Sequence, residues 1–175
     1  MNATVASGAL AGVRVIDFST LLPGPLCTLL LARAGAEVTK VERPDGGDEM
    51  RSYTPRLGPT SVNFALLNQG KRSVALDLKR QDGVRRAMDL LQSADVLVEQ
   101  YRPGVMERFG LGYEAVRAVN PRIVYCSITG WGQHGPLAGV AAHDLNYQAV
   151  AGVLGLSEGA DGAPVLPSVL SADIA

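Results

Sequence analysis

The chain has 175 residues, and its 16 Lys plus Arg nearly balance 17 Asp plus Glu for a formal net charge of -1. That balance excludes the broad cationic surface of a nucleic-acid binder, and a composition 47% hydrophobic and 19% charged is that of an ordinary globular protein of one domain with a real core. The longest apolar run, residues 26–32, is too short to cross a bilayer, and residues 1–9 carry neither a basic residue nor a long apolar stretch, so a cytoplasmic protein with no membrane partner and no secretory leader is expected.

Residues 13–18, rich in β-branched side chains after Gly12, read as a strand. Pro23-Gly24-Pro25 breaks it, a helix is expected over 26–34 with Gly35 as its C-cap, and a second strand over 37–41. This is a β-α-β unit, the building block of a parallel sheet. Residues 45–59 are rich in Gly, Pro and charge and read as a loop. Strand 73–78, amphipathic helix 82–91 with Val84, Met88 and Leu91 on one face, and strand 95–99 follow. Two short helices at 104–109 and 113–119 lead to a fifth strand at 122–128. The alternation argues for an open α/β sheet with helices on both faces. After a small-residue loop at 130–142, a helix is expected over 144–156 with Asp144 as its cap, then a turn-rich connector at 159–167 and the approach to another helix, with Asp173 near its N-cap.

No G-x-G-x-x-G, no G-x-x-x-x-G-K-[ST] and no G-x-S-x-G is present, which removes the standard dinucleotide, nucleoside triphosphate and nucleophile-elbow sites. Cys27 and Cys126 sit in apolar runs and are expected to be reduced core thiols, with no metal site. What remains is a set of cations at loop positions: Arg43 after the second strand, Lys71 and Arg72 before the third, Arg102 and Arg108 around the end of the fourth. Arg and Lys at such places suit phosphate oxygens. A second set is His143, Asp144, Tyr147 and Asp173, where an imidazole at a helix mouth is poised to titrate near neutrality. His134 reads as an exposed loop residue.

At these residues the sequence resembles the family III CoA-transferases (the CaiB/BaiF family), and within them the α-methylacyl-CoA racemase branch. The resemblance runs over residues 10–175. It is carried by Gly12-Val13-Arg14-Val15-Ile16-Asp17-Phe18-Ser19, Pro23-Gly24-Pro25, Val41-Glu42-Arg43-Pro44, Gly70-Lys71-Arg72-Ser73, Tyr101-Arg102-Pro103-Gly104-Val105, Glu107-Arg108-Phe109-Gly110-Leu111-Gly112, Thr129-Gly130-Trp131-Gly132-Gln133 and His143-Asp144-Leu145-Asn146-Tyr147. It implies a Rossmann-like, mostly parallel sheet with flanking helices, in the large CoA-binding domain of an interlocked homodimer. It implies that Arg43, Lys71, Arg72, Arg102 and Arg108 lie around the CoA phosphates and adenine, that His143 and Asp173 are catalytic, and that Asp144 and Tyr147 line the pocket beside the histidine. CoA would enter as part of an acyl-CoA substrate, with no prosthetic cofactor. Family chains are about twice this length, so residues 1–175 are expected to be the N-terminal part of the large domain, with the small domain and return segment absent.

Racemisation at C2 of a 2-methylacyl thioester needs two groups, each able to act as acid or base on opposite faces, and an oxyanion donor for the enolate, a role expected of backbone N–H groups at the start of the helix after Asp173. In a CoA-transferase the same Asp173 would attack the thioester and form a mixed anhydride, without need of His143. The His143-Asp144-Leu145-Asn146-Tyr147 segment favours the racemase, whereas the position four residues before Asp173, an Asn in racemases, is Val169. A third expectation is an inactive CoA-binding fragment.

Overall fold

A computed structural model describes residues 8–174. They divide into two compact units that meet in sequence at Ile128 and Thr129.

The first unit is a five-stranded parallel sheet. Its strands are β1 (Arg14–Asp17), β2 (Glu37–Glu42), β5 (Arg72–Ala75), β6 (Val96–Glu99) and β7 (Val124–Ser127), in spatial order β5-β2-β1-β6-β7. The chain builds outward from β1 in one direction, then returns and builds outward in the other, so the order reverses between β1 and β6. Open sheets of this kind leave a crevice outside the strand ends at such a reversal.

Alternation along β1 assigns the two faces. Val15 packs with Val38 and Val98 against Leu31 and Ala32 of helix α1 (Pro23–Arg33), while Ile16 and Phe18 pack with Leu97, Leu91, Val116 and Ile123. The latter cluster draws on α3 (Gln81–Gln92), α4 (Val105–Arg108) and α5 (Tyr113–Val119). Near-continuous apolar strands are what a sheet covered on both faces requires.

Several elements of the first unit differ from the sequence expectation. α1 starts at Pro23 rather than residue 26, because the first turn of a helix has no use for the N–H groups that proline lacks. Residues 45–59 are not a plain loop: a 3₁₀ turn covers Glu49–Ser52, and a small hairpin pairs β3 (Arg56–Leu57) with β4 (Thr60–Ser61). Helix α2 (Val62–Leu67), unforeseen, begins under the Ser61 hydroxyl, which accepts the Phe64 N–H at 3.4 Å. Gly35 lies at φ 105 past the end of α1, as its C-cap role demands.

A buried polar network ties these pieces together. Asp17, at the end of β1, accepts from the Ser19 N–H at 2.9 Å, the Ser19 hydroxyl, the Thr28 hydroxyl at 2.6 Å and Lys71 Nζ at 3.3 Å. Lys40 Nζ donates to the Ser19 carbonyl at 2.6 Å and pairs with Asp48 Oδ2 at 2.9 Å. The Asp48 N–H reaches Glu42 Oε2 at 3.0 Å, and Arg51 grips both Glu42 oxygens at 2.7 Å while its guanidinium lies 3.8 Å from the centre of the Phe64 ring.

The second unit, Thr129–Ala175, holds α6 (Asp144–Val150), a 3₁₀ turn at Val153–Leu156 and the four-residue α7 (Ser171–Ile174). The helix expected over 144–156 is interrupted at Gly152, whose φ of 78 ends the α-helical run. Among its described residues only Asp144 and Gln148 are buried, while Leu156, Leu166 and Val150 are exposed.

Burial pushes the Glu42 carboxyl up, but hydrogen bonds from Arg51, Ser73 and the Asp48 N–H outweigh it and bring it down to about 2. A folded value below the unfolded one means stability that is present at neutral pH and drains away as the pH falls through the carboxylate range. Arg51→Met is expected to cost about 1–3 kcal/mol at neutral pH and to flatten that acid loss. Urea unfolding at a series of pH values checks it; an unchanged pH profile would show that the pair contributes nothing to acid stability.

Candidate active site

The strand ends of the first unit gather three of the expected cations. Arg43 follows β2 and is exposed, its Nε donating to the Gly47 carbonyl at 2.8 Å. Arg102 and Arg108 are exposed on the turn after β6, and a methyl group at Gly104 would sit 3.6 Å from Arg108 Nη1, so that side chain lies over the turn. Among the described residues none of the three forms an ion pair. Their guanidiniums are therefore open to phosphate oxygens.

The other two cations sit elsewhere. Arg72 opens β5, and its guanidinium lies 3.5 Å from Glu37, the first residue of β2. It shares a small surface pocket with Arg14, Ser93 and Ala94, residues where strands begin or that lead into them. The strand direction thus carries Arg72 to the opposite edge of the sheet from Arg43 and Arg102. Lys71 is turned inward, 1% exposed, with its ammonium on Asp17, the Pro25 carbonyl at 2.9 Å and Asn68 Oδ1 at 2.9 Å. Burial lowers it to about 8 against the pull of Asp17. These contacts tie the segment before β5 to the end of β1 and to α1.

Sequence reasoning missed two residues at the reversal point. The Gln100 side chain accepts the Gly24 N–H at 2.8 Å, linking the start of α1 to the end of β6, and a methyl group at Gly24 would clash with Ser19 at 2.1 Å. Leu21 adopts φ 63, a conformation unusual for a branched residue, with its N–H held by Asp48 Oδ1 at 3.1 Å. Pro23 and Pro25 bring no N–H, and that of Gly24 is taken. The mouth of α1 consequently lacks the free donors with which dinucleotide-binding folds hold a pyrophosphate, consistent with the missing glycine motif.

Both cysteines are free and half-buried rather than fully enclosed, and burial raises each thiol.

In the second unit, His143 rather than Asp144 is the N-cap of α6. It is exposed, and its N–H donates to Asn146 Oδ1 at 2.9 Å. Asp144 lies one residue further in and is 4% exposed. Its Oδ1 accepts the N–H groups of Ala172 at 2.7 Å and Asp173 at 3.3 Å, and its Oδ2 accepts Gln148 Nε2 at 2.5 Å. Asp144 therefore caps α7, the helix that carries Asp173.

Tyr147 is also held structurally. Its hydroxyl donates to the Ala142 carbonyl at 3.2 Å, its ring meets Trp131 edge to face at 4.9 Å, and a methyl group at Gly130 would sit 1.8 Å from the hydroxyl oxygen. Asp173 is half-buried in the first turn of α7, near the start of the helix as expected. Burial raises its carboxyl, the Asp144 charge raises it further, and His143 pulls it back. Burial raises the Tyr147 hydroxyl, and Asp173 adds to it. His134 is exposed in its loop, as read from sequence.

The sequence signature of CoA-transferase family III matches residues 10–175. The chain belongs to that family. It is similar to the succinyl-CoA:glutarate CoA-transferase of Mus musculus, 43% identical over 167 residues that cover 95% of this chain and 38% of that protein. It is likewise similar to the alpha-methylacyl-CoA racemase of Mus musculus, 46% identical over 145 residues covering 83% of this chain and 34% of that one. A CaiB/BaiF family protein from Brucella suis superposes with a TM-score of 0.90 at 35% identity over 96% of this chain and 46% of that structure. The chain thus spans less than half the length of the relatives it matches. Among its described residues no helix is long and apolar enough to cross a membrane.

The two kinds of cation separate in a stability test. Lys71→Met is expected to cost about 3 kcal/mol, because it strands part of the Asp17 charge in the interior. Arg102→Ala and Arg108→Ala are expected to stay within about 0.5 kcal/mol of the parent. Thermal or denaturant unfolding of the three variants checks this; a neutral Lys71→Met would place its ammonium outside the network.

Proposed function

We propose that this chain belongs to an acyl-CoA racemase or epimerase, which moves a proton at C2 of a 2-methylacyl-CoA thioester. The observation that carries this is the shared electrostatic environment of His143 and Asp173: two acid/base groups in one unit, the carboxyl raised by burial and by Asp144 and tempered by the imidazole. A thioester α-proton is weakly acidic, so its removal needs a base held against it, and the electron pair passes to the thioester oxygen as an enolate. One of the pair takes the C2 proton while the other returns one from the opposite face. A carboxylate made more basic by burial is better matched to that task than an ordinary surface aspartate.

CoA serves as a handle whose binding energy orients the acyl group. Arg43, Arg102 and Arg108 are assigned to its phosphates, since they are open and unpaired. Lys71 and Arg72 are not. The acyl-CoA is the substrate, no prosthetic group is invoked, and a homodimer is the assembly proposed.

The same Asp173 supports a second reading as a CoA-transferase. Its raised carboxyl is a stronger nucleophile than an ordinary aspartate, and the similarity to a succinyl-CoA:glutarate CoA-transferase points the same way. Its carboxylate would attack the thioester carbonyl and expel CoA thiolate, leaving a mixed anhydride that the thiolate then opens.

The test is α-proton exchange in the full-length protein that carries this sequence. Incubation with (2S)-2-methylacyl-CoA in heavy water is expected to place deuterium at C2 with loss of configuration. His143→Ala and Asp173→Ala should each abolish it, and the acid limb of the rate should lie above that of an ordinary aspartate. Absence of exchange, with CoA transfer to an added carboxylic acid that survives His143→Ala and dies with Asp173→Ala, would establish the transferase instead.

A further inference from the structure

We propose that Gln148 is a positioning residue for Asp173: its carboxamide holds the Asp144 carboxylate and the Val169 carbonyl, and through them the short helix on which Asp173 stands. The inference rests on the Asp173 chemistry proposed above.

In the second unit the only buried side chains among the described residues are Asp144 and Gln148, both polar. Gln148 is 3% exposed, and a buried carboxamide costs free energy unless it is bonded. Its Nε2 makes two bonds, to Asp144 Oδ2 at 2.5 Å and to the Val169 carbonyl at 3.2 Å. Asp144 Oδ1 then receives the N–H groups of Ala172 and Asp173. One amide thereby connects α6 to both the entry of α7 and its first turn.

The arrangement is polar for a physical reason. Asp144 is a buried anion that needs donors on both oxygens. The α7 amides serve one, and the Gln148 carboxamide serves the other from the next turn of α6. An apolar residue at 148 would fill the space and leave Oδ2 bare. α7 has four residues and cannot hold its own shape by propensity, so the Asp173 carboxyl is only as well placed as this cap. The groups that face Asp173 electrostatically are Asp144, His143 and Tyr147, all from α6 or its cap.

The experiment compares Gln148→Met and Asp144→Asn in the full-length protein. Gln148→Met is expected to lower kcat by about 10–100-fold, the scale of a small misplacement of a reacting group, with little change in KM for acyl-CoA. Asp144→Asn removes the charge beside Asp173 and should shift the acid limb of kcat downward. A loss of kcat with KM kept is not what mere loosening of the fold gives. A kcat within twofold of the parent for Gln148→Met, or a loss confined to KM, would overturn the inference. If Gln148→Met does not fold, Gln148→Leu is read by the same split of kcat against KM, and an unchanged kcat overturns the inference. If the parent shows neither C2 exchange nor CoA transfer, the functional reading fails by itself. Amide hydrogen exchange at Ala172 and Asp173 then decides: faster exchange in Gln148→Met upholds the positioning role, and unchanged exchange refutes it.

Discussion

Asp17 ends the central strand with a carboxylate that is 0% exposed, and much of the first unit is arranged to satisfy it. A bare anion in that place would cost several kcal/mol. Ser19 answers from the turn after β1, Thr28 from α1, and Lys71 from the segment before β5. Each donor comes from a different element. One charge therefore fixes the angle at which α1 leaves the sheet and the path by which the chain returns to build its edge.

The same logic extends along the strand ends. Lys40 is buried beside Asp48, Asp48 holds the N–H groups of Leu21 and Met50, and Glu42 is gripped by Arg51. The turn at Leu21 keeps a conformation that its side chain disfavours because Asp48 holds its amide. Strain of this kind persists where surroundings over-determine it. Here it lies at the reversal of strand order, the place where an open sheet receives ligands. The helix mouth beneath carries two prolines, and Gln100 takes the Gly24 N–H.

The second unit works by a different rule. None of its described apolar side chains is buried, and its two buried residues are a carboxylate and a carboxamide. Hydrogen-bond direction, not apolar area, sets its local geometry. A polar hub has the advantage of specificity, since its partners must be in place together. That suits a helix of four residues, which propensity alone does not hold.

Much of the fold was legible in the amino-acid order. Strand and helix periods, the Gly35 stop and the alternating β-α pattern follow from local sterics and from apolar spacing, and these operate over a few residues. Family membership followed from the succession of short motifs, each with its own turn or loop chemistry. Helix α2 and the start of α1 were less visible, since Ser61 and Pro23 are weak signals outside their context. What only the tertiary structure decided is where the long polar side chains go. Lys71 finds Asp17 at a separation of 54 residues, and Asp144 finds the Ala172 amide at 28. Arg72 falls on the far edge of the sheet because the strand it opens runs that way. A lysine, an arginine or an aspartate in a sequence has the same chemistry whether it meets a ligand or a buried partner. The choice is made by desolvation and by the groups that folding brings within 3 Å or so.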